Sequence, residues 1–98
     1  MTYGWFVLIN VFEVPEGKDE EFLAAWEQGK AIMERQPGYL STALHRSLDP
    51  TAQFRYINVA HWESAQDFSA ALNNPEFVAY RNAVPFTHYP SVYEVVAR

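Results

Sequence analysis

Three polar side chains interrupt apolar stretches of this 98-residue chain, and their chemistry suits an oxygen-bearing ligand. Asn10 breaks the alternation of Leu8 and Phe12, while Asn58 and Trp62 lie four residues apart in a second apolar stretch. In extended strands these spacings place each set on one face. Carboxamides donate and accept hydrogen bonds and an indole N–H donates, so the three residues predict a pocket for a flat aromatic ligand with oxygen substituents. The alternatives are an amide bonded to neighbouring backbone and a core aromatic at the end of a strand.

Two further side chains are candidates for carrying charge or a proton. Arg81 follows Phe77 by one helical turn, where its guanidinium would stabilise an enolate or phenolate. A stem that lies along the helix surface is the alternative for this residue. His88 precedes Tyr89 and Pro90 in a predicted loop, and an imidazole exchanges protons near neutral pH. His88 is therefore a candidate base, with a solvated loop side chain as the alternative.

The composition argues against several other classes of function. The chain has no cysteine, and its three histidines, His45, His61 and His88, lie in separate elements without metal-ligand spacing, so we predict no metal site. A net charge of -5 argues against a nucleic-acid partner. The longest apolar run is far shorter than the roughly 20 residues of a membrane span, so we expect a cytoplasmic protein that does not bind membranes. The glycine and serine motifs of nucleotide binding and hydrolysis are absent.

Strand-like and helix-like segments alternate along the chain. The predicted elements are strands at 3–14, 39–48, 53–62 and 90–97, a helix at 19–35, and two short helices that begin after Ser64 and Asn74. Ser64 begins a capping box that ends at Asp67, and Asn74 precedes Pro75, so both positions are typical helix starts. The order predicts one α+β domain over residues 1–98, with the ferredoxin-like βαββαβ arrangement of a four-stranded antiparallel sheet under helices.

The first predicted strand is apolar on both of its faces. One face carries Phe6, Leu8 and Phe12, and the other carries Trp5, Val7, Ile9 and Val11. A sheet with one solvated face should instead alternate apolar with polar residues. Because the helices cover one face, we predict that a second copy of the chain covers the other and that the protein is a homodimer.

Four segments carry a distinctive set of motifs. They are residues 10–17 (Asn-Val-Phe-Glu-Val-Pro-Glu-Gly), 37–40 (Pro-Gly-Tyr-Leu), 58–64 (Asn-Val-Ala-His-Trp-Glu-Ser) and 74–77 (Asn-Pro-Glu-Phe), with Phe68 before the last of them. Together they resemble the antibiotic biosynthesis monooxygenase (ABM) domain family. The resemblance implies a dimeric ferredoxin-like α+β barrel. The family includes oxygenases, haem degraders and isomerases, so the resemblance implies a fold more firmly than a reaction.

Two branches of the family bear on the candidate residues. The quinone-forming monooxygenases of aromatic polyketide pathways use an Asn–Trp pair, which Asn58 and Trp62 match, and an Arg, which Arg81 matches within one residue. Phe68 stands where that branch has a Tyr, so the phenol hydroxyl is missing there. The haem-degrading branch uses an Asn and a Trp that Asn10 and Trp62 match, but Arg81 stands where its iron-binding His belongs.

We therefore predict a cofactor-independent monooxygenase that oxidises a planar phenolic or anthrone-like molecule with O2. The predicted catalytic residues are Asn58, Trp62, Arg81 and His88, and the predicted substrate-binding residues are Asn10, Tyr56, Phe68 and Phe77. A haem-binding or haem-degrading protein without the usual axial His is one alternative. A non-catalytic dimer that binds a small molecule is the other.

Overall fold

The computed structural model describes residues 6–98, and their secondary structure follows the predicted order. The elements are β1 (Phe6–Glu13), α1 (Asp19–Met33), β2 (Tyr39–Arg46), β3 (Tyr56–Trp62), α2 (Ala65–Leu72), α3 (Pro75–Ala83) and β4 (Thr87–Glu94). The predicted start of the first strand at Tyr3 and the place of Trp5 lie outside the described residues.

Both short helices begin at the predicted caps. The Ser64 hydroxyl accepts a hydrogen bond from the Asp67 backbone N–H at 3.0 Å, and the Asn74 side-chain oxygen accepts one from the Glu76 N–H at 2.9 Å. Each cap satisfies a backbone donor that the first helical turn leaves unpaired. Pro75 occupies the first turn of α3, where its missing N–H has no cost.

The four strands form one antiparallel sheet in the order β2-β3-β1-β4. This order is the ferredoxin-like arrangement, so the predicted fold is confirmed. Strand β1 lies between β3 and β4, and Asn10 is directly opposite Asn58 on one side and Pro90 on the other. Because directly opposed residues point to the same face of a sheet, the centre of the sheet brings the two carboxamides together.

Buried aromatic residues join the sheet to the helices in two clusters. Leu8, Ala60, Trp62, Phe68 and Ala71 form one cluster, and Phe12, Phe22, Tyr56 and Phe86 form the other. On the opposite face, Val7, Ile9 and Val11 of β1 lie beside β3, where they face His61, Val59 and Ile57 in register. This second face is apolar at its centre, as the sequence predicts, and no described helix packs on it.

Strand β4 differs from its predicted bounds. It begins at Thr87 and ends at Glu94, whereas the sequence pattern suggested 90–97. The reason is its partner, because the eight residues of β1 pair in register from Glu13 with Thr87 to Phe6 with Glu94. Pro90 is tolerated within the strand because β4 is at the sheet edge and needs hydrogen bonds on one side alone. His88 therefore lies in a strand and not in a loop.

Strand β3 begins at Tyr56, three residues later than predicted. The residue before it, Arg55, turns to α1 and forms two-pronged hydrogen bonds to Asp19, the shortest of which joins Nη2 to Oδ2 at 2.7 Å. This hydrogen-bonded guanidinium holds the pKa of the Asp19 carboxyl below its usual value. The ion pair connects the β2–β3 hairpin to the first turn of α1.

Replacing Gly38 by alanine is expected to destabilise the fold by roughly 2–4 kcal/mol. Gly38 has φ 87°, and a Cβ there would lie 2.5 Å from the Cβ of Asp67. Gly17 is a matched control because it has φ 84° and an added Cβ would meet nothing within 4 Å. Gly17→Ala should therefore lower the free energy of unfolding by about 1–2 kcal/mol through backbone strain alone. Urea unfolding of both variants measures the difference, and equal losses would contradict the close packing at Gly38.

Candidate functional site

A cavity of about 410 Å³ lies between the sheet and helices α1 and α3. Seven of the eight predicted site residues line it, namely Asn10, Asn58, Trp62, Phe68, Phe77, Arg81 and His88. They come from β1, β3, α2, α3 and β4, so the fold collects them from nearly the whole chain. The volume is in the range of small-molecule sites.

Tyr56 is the predicted site residue that does not line this cavity. It does lie on the same face of β3 as Asn58, but it is 2% exposed and its ring lies 4.6 Å from the ring of Phe22. Helix α1 places Phe22 over this end of the sheet, so Tyr56 is a core residue. The expected contact of Tyr56 with substrate is not supported by this geometry.

The two carboxamides at the centre of the sheet differ in their hydrogen bonding. Thr42 donates its hydroxyl hydrogen to the side-chain oxygen of Asn58 at 2.7 Å. The side-chain oxygen of Asn10 is buried and has no hydrogen-bond partner among the described residues. A buried polar atom left unpaired costs roughly 1–3 kcal/mol. The unpaired Asn10 oxygen in the cavity wall therefore indicates an acceptor for a hydroxyl or N–H group of a ligand.

Trp62 provides an unpaired donor in the same cavity. The side chain is 3% exposed, and its indole nitrogen is buried without a partner in the part of the chain that the structure describes. Tyr39 packs on the ring edge-to-face at a centroid distance of 5.6 Å, and Phe68 packs on it at 5.5 Å. These two contacts hold the indole in one orientation, so its N–H direction is set before a ligand arrives.

The charged groups of the cavity are positive. Arg81 and Lys30 line it, and none of its described lining residues is acidic. The Arg81 guanidinium carbon lies 6.0 Å from the centre of the Phe77 ring, a cation–π contact that keeps the group at the cavity wall. An apolar cavity with cations at its wall favours an anionic ligand or an anion formed during a reaction.

His88 faces the cavity from β4, where it lies opposite Phe12 in register. Its Nδ1 is 3.0 Å from the backbone oxygen of Phe86. Because a carbonyl oxygen can only accept, Nδ1 carries the hydrogen in this contact, and Nε2 of the neutral ring keeps its lone pair. The contact therefore selects the tautomer in which Nε2 can accept a proton.

Sequence reasoning missed several polar residues of the cavity wall. Thr42 and Tyr39 come from β2, and Lys30 and Tyr80 come from the helices. The alternation along β2 is too loose to assign its faces, since a register shift between Tyr39 and Ser41 interrupts it. Lys30 follows Trp26 by one helical turn, a spacing that would have placed the two on one side of α1.

Both cavity tyrosines keep their phenol protons. Burial raises the pKa of Tyr39 and of Tyr80 above the usual value for a phenol. Tyr80 donates its hydroxyl to the backbone oxygen of Ala25 and packs against Gly29, where an added Cβ would lie 2.7 Å from the phenol ring. Tyr80 therefore joins α3 to α1 at the cavity wall.

The family model described as antibiotic biosynthesis monooxygenase matches residues 5–83 of this chain. The chain belongs to the antibiotic biosynthesis monooxygenase family. The resemblance stated from the sequence motifs is thereby confirmed.

Proteins that are similar to this chain are described with two kinds of chemistry. A mycobilin-producing haem oxygenase from Mycobacterium tuberculosis is 35% identical over 74 residues, which cover 76% of this chain and 69% of that protein. A protein from Shewanella loihica described as a candidate monooxygenase has a TM-score of 0.85 at 36% identity, with all of both chains covered. SnoaB, a cofactor-independent oxygenase from Streptomyces nogalater, has a TM-score of 0.83 at 25% identity, with 97% of this chain and 96% of SnoaB covered.

Two other features are absent from residues 6–98 of this ABM-family chain. No group of three or more His, Cys, Asp or Glu side chains within that range is arranged to hold a metal ion. No helix within it is both long and apolar enough to span a bilayer.

Proposed function

We propose that this protein is a cofactor-independent monooxygenase that oxidises a planar phenolic or anthrone-like molecule with O2. The observation that carries the proposal is the unpaired acceptor of Asn10 and the unpaired donor of Trp62, both buried in one apolar cavity. These two atoms are suited to a ligand that bears both a hydroxyl group and a carbonyl or phenolate oxygen. SnoaB supports the proposal because it is described as cofactor-independent and shares this fold over nearly its whole length.

In the proposed reaction the substrate supplies the electrons. Nε2 of His88 accepts a proton from the acidic carbon or hydroxyl of the substrate, and the resulting anion reduces O2 directly. For an anthrone, one oxygen atom becomes the new carbonyl of the quinone. The other leaves as water, with the two hydrogens lost from the carbon that is oxidised.

The cavity residues stabilise the anion that forms in this step. Arg81 and Lys30 supply positive charge at the wall, and Trp62 and Asn58 supply donors to the developing oxyanion. Phe68 and Phe77 offer aromatic surface for the rings of the substrate. The protein thus accelerates the proposed reaction by positioning the substrate and by stabilising the anion electrostatically.

Haem degradation is the second candidate, favoured by the 35% identity to a haem oxygenase. Asn10 and Trp62 line the cavity as that branch of the family implies. The described residues do not fit the iron site of that branch, because α3 carries Arg81 at the expected position and contains no histidine.

We also propose that a second copy of the chain covers the open face of the sheet. Val7, Ile9, Val11 and Ile57 make the centre of this face apolar although no described helix packs on it. Tyr89 and Tyr93 of the edge strand add aromatic surface, being 53% and 50% exposed. Contiguous apolar surface of this kind marks an interface. Light scattering behind a sizing column should report two chain masses, and one chain mass at micromolar concentration would refute the dimer.

Oxygen uptake by the purified, metal-stripped protein supplied with anthrone tests the proposed reaction. We expect uptake well above the spontaneous oxidation of anthrone, with one anthraquinone formed for each O2 consumed. Saturable anthrone binding without uptake would instead favour the non-catalytic binding dimer. A shifted Soret band on haem addition, with haem loss once a reductant is present, would favour haem degradation.

A further inference from the structure

The hydroxyl of Thr42 holds the side-chain amide of Asn58 in one orientation. Thr42 lines the cavity from β2, half-buried, and its Oγ1 lies 2.7 Å from the side-chain oxygen of Asn58. The backbone oxygen of Val59 is the other atom in reach, at 3.4 Å. Both neighbours are acceptors and the hydroxyl has one hydrogen, so the shorter contact to Asn58 takes it.

This contact determines which end of the amide a ligand meets. The terminal torsion of an asparagine side chain has two roughly equivalent orientations that exchange the oxygen and the NH2 group. With its oxygen held by Thr42, the Asn58 amide turns its NH2 group to the cavity. We propose that Thr42 is a positioning residue that makes Asn58 a hydrogen-bond donor to the ligand; this inference rests on the proposed function.

The side-chain amide of Asn10 determines how the orientation of Asn58 affects ligand selection. Asn10 lies directly opposite Asn58 and presents a buried, unpaired oxygen. The two amides therefore have opposite polarity, with a donor on β3 and an acceptor on β1. Without the Thr42 hydroxyl, the Asn58 oxygen is free to turn to the cavity, and a ligand carbonyl would then meet two acceptors. Thr42 thus selects ligands that carry a carbonyl or phenolate oxygen at the Asn58 position.

A pair of flat, unreactive ligands separates this role from general packing. Fluorenone has a ketone oxygen, whereas fluorene has the same ring system without it. Quenching of tryptophan fluorescence reports binding, because Trp26 and Trp62 line the cavity. We expect wild type to bind fluorenone about tenfold more tightly than fluorene, as one hydrogen bond allows. Thr42→Val, which removes the hydroxyl and keeps the shape, should bring this ratio to about one.

Three further variants complete the test. Thr42→Ser keeps the hydroxyl and should keep the tenfold ratio. Asn58→Ala should lose the ratio, and adding Thr42→Val to it should change nothing more, because the two residues act as one unit. A Thr42→Val protein that keeps the tenfold ratio would overturn the inference. So would equal losses of fluorenone and fluorene affinity, since these would indicate packing alone.

A measurement without ligand distinguishes this inference from the proposed function. Binding of neither fluorenone nor fluorene by wild type would overturn the proposed aromatic ligand. The side-chain amide resonances of Asn58 would then decide the role of Thr42. They should move or broaden in Thr42→Val and stay close to wild type in Thr42→Ser, and amide resonances that are the same in all three proteins would overturn the positioning role.

Discussion

Replacing Asn58 by alanine is expected to lower kcat/KM for anthrone oxidation by about 100- to 1000-fold, the usual effect of losing one donor to an oxyanion. Asn58 lies at the centre of the cavity wall, and Thr42 holds its oxygen so that its NH2 group is left for the substrate. The loss should appear mainly in kcat, because the hydrogen bond strengthens as charge develops on the substrate oxygen. Initial rates of oxygen uptake measure it.

Two variants accompany Asn58→Ala. Asn82→Ala changes the same residue type at an exposed position of α3 outside the cavity lining, and it should leave the rate unchanged. Trp62→Phe keeps an aromatic ring between Tyr39 and Phe68 but removes the unpaired indole donor, and it should slow the reaction. Full activity in both Asn58→Ala and Trp62→Phe, with unchanged thermal stability, would contradict the assignment of these residues.

Replacing His88 by glutamine is expected to slow the reaction by about 100- to 10,000-fold, the range for loss of a general base. Glutamine retains hydrogen-bonding groups of similar reach but does not accept a proton. Initial rates of oxygen uptake by the wild type and the variant at one pH measure the loss. The variant should approach the rate of spontaneous anthrone oxidation.

His45→Gln is the matched control for this experiment. His45 lies opposite Ile57 in register, on the sheet face away from the cavity, so its replacement leaves the cavity lining unchanged. The control should keep the wild-type rate. A wild-type rate in His88→Gln would show that the proton goes to another group, and the base would have to be reassigned.

Much of the site follows from local sequence patterns. The period-2 rule places Asn10 with Leu8 and Phe12, and it places Asn58 with Trp62, so the sequence predicts which faces carry the polar groups. That face of the sheet packs under the helices, and the burial of Leu8 and Trp62 confirms the prediction. Burial favours this arrangement because the apolar neighbours leave water together.

Contacts between segments that are distant in the sequence decided the features of the site that local patterns did not predict. His88 belongs to a strand because β4 pairs with β1 as far as Glu13. The local strand propensity around Pro90 does not predict this pairing. Tyr56 has the strand position expected of a cavity residue, yet the position of Phe22 on α1 covers it. Both outcomes depend on how one element packs against another. The sequence of a single segment does not encode this packing.

By itself the sequence determined the family, the order of the elements, the capped helix starts and the face on which Asn10, Asn58 and Trp62 lie. These features depend on residues close together in the chain, whose spacing and local hydrogen bonds are readable. The tertiary structure alone decided that Thr42 meets Asn58 and that Lys30 joins Arg81 at the cavity. These contacts join separate elements, and they depend on strand register and helix docking, which are set by the packing of the whole core.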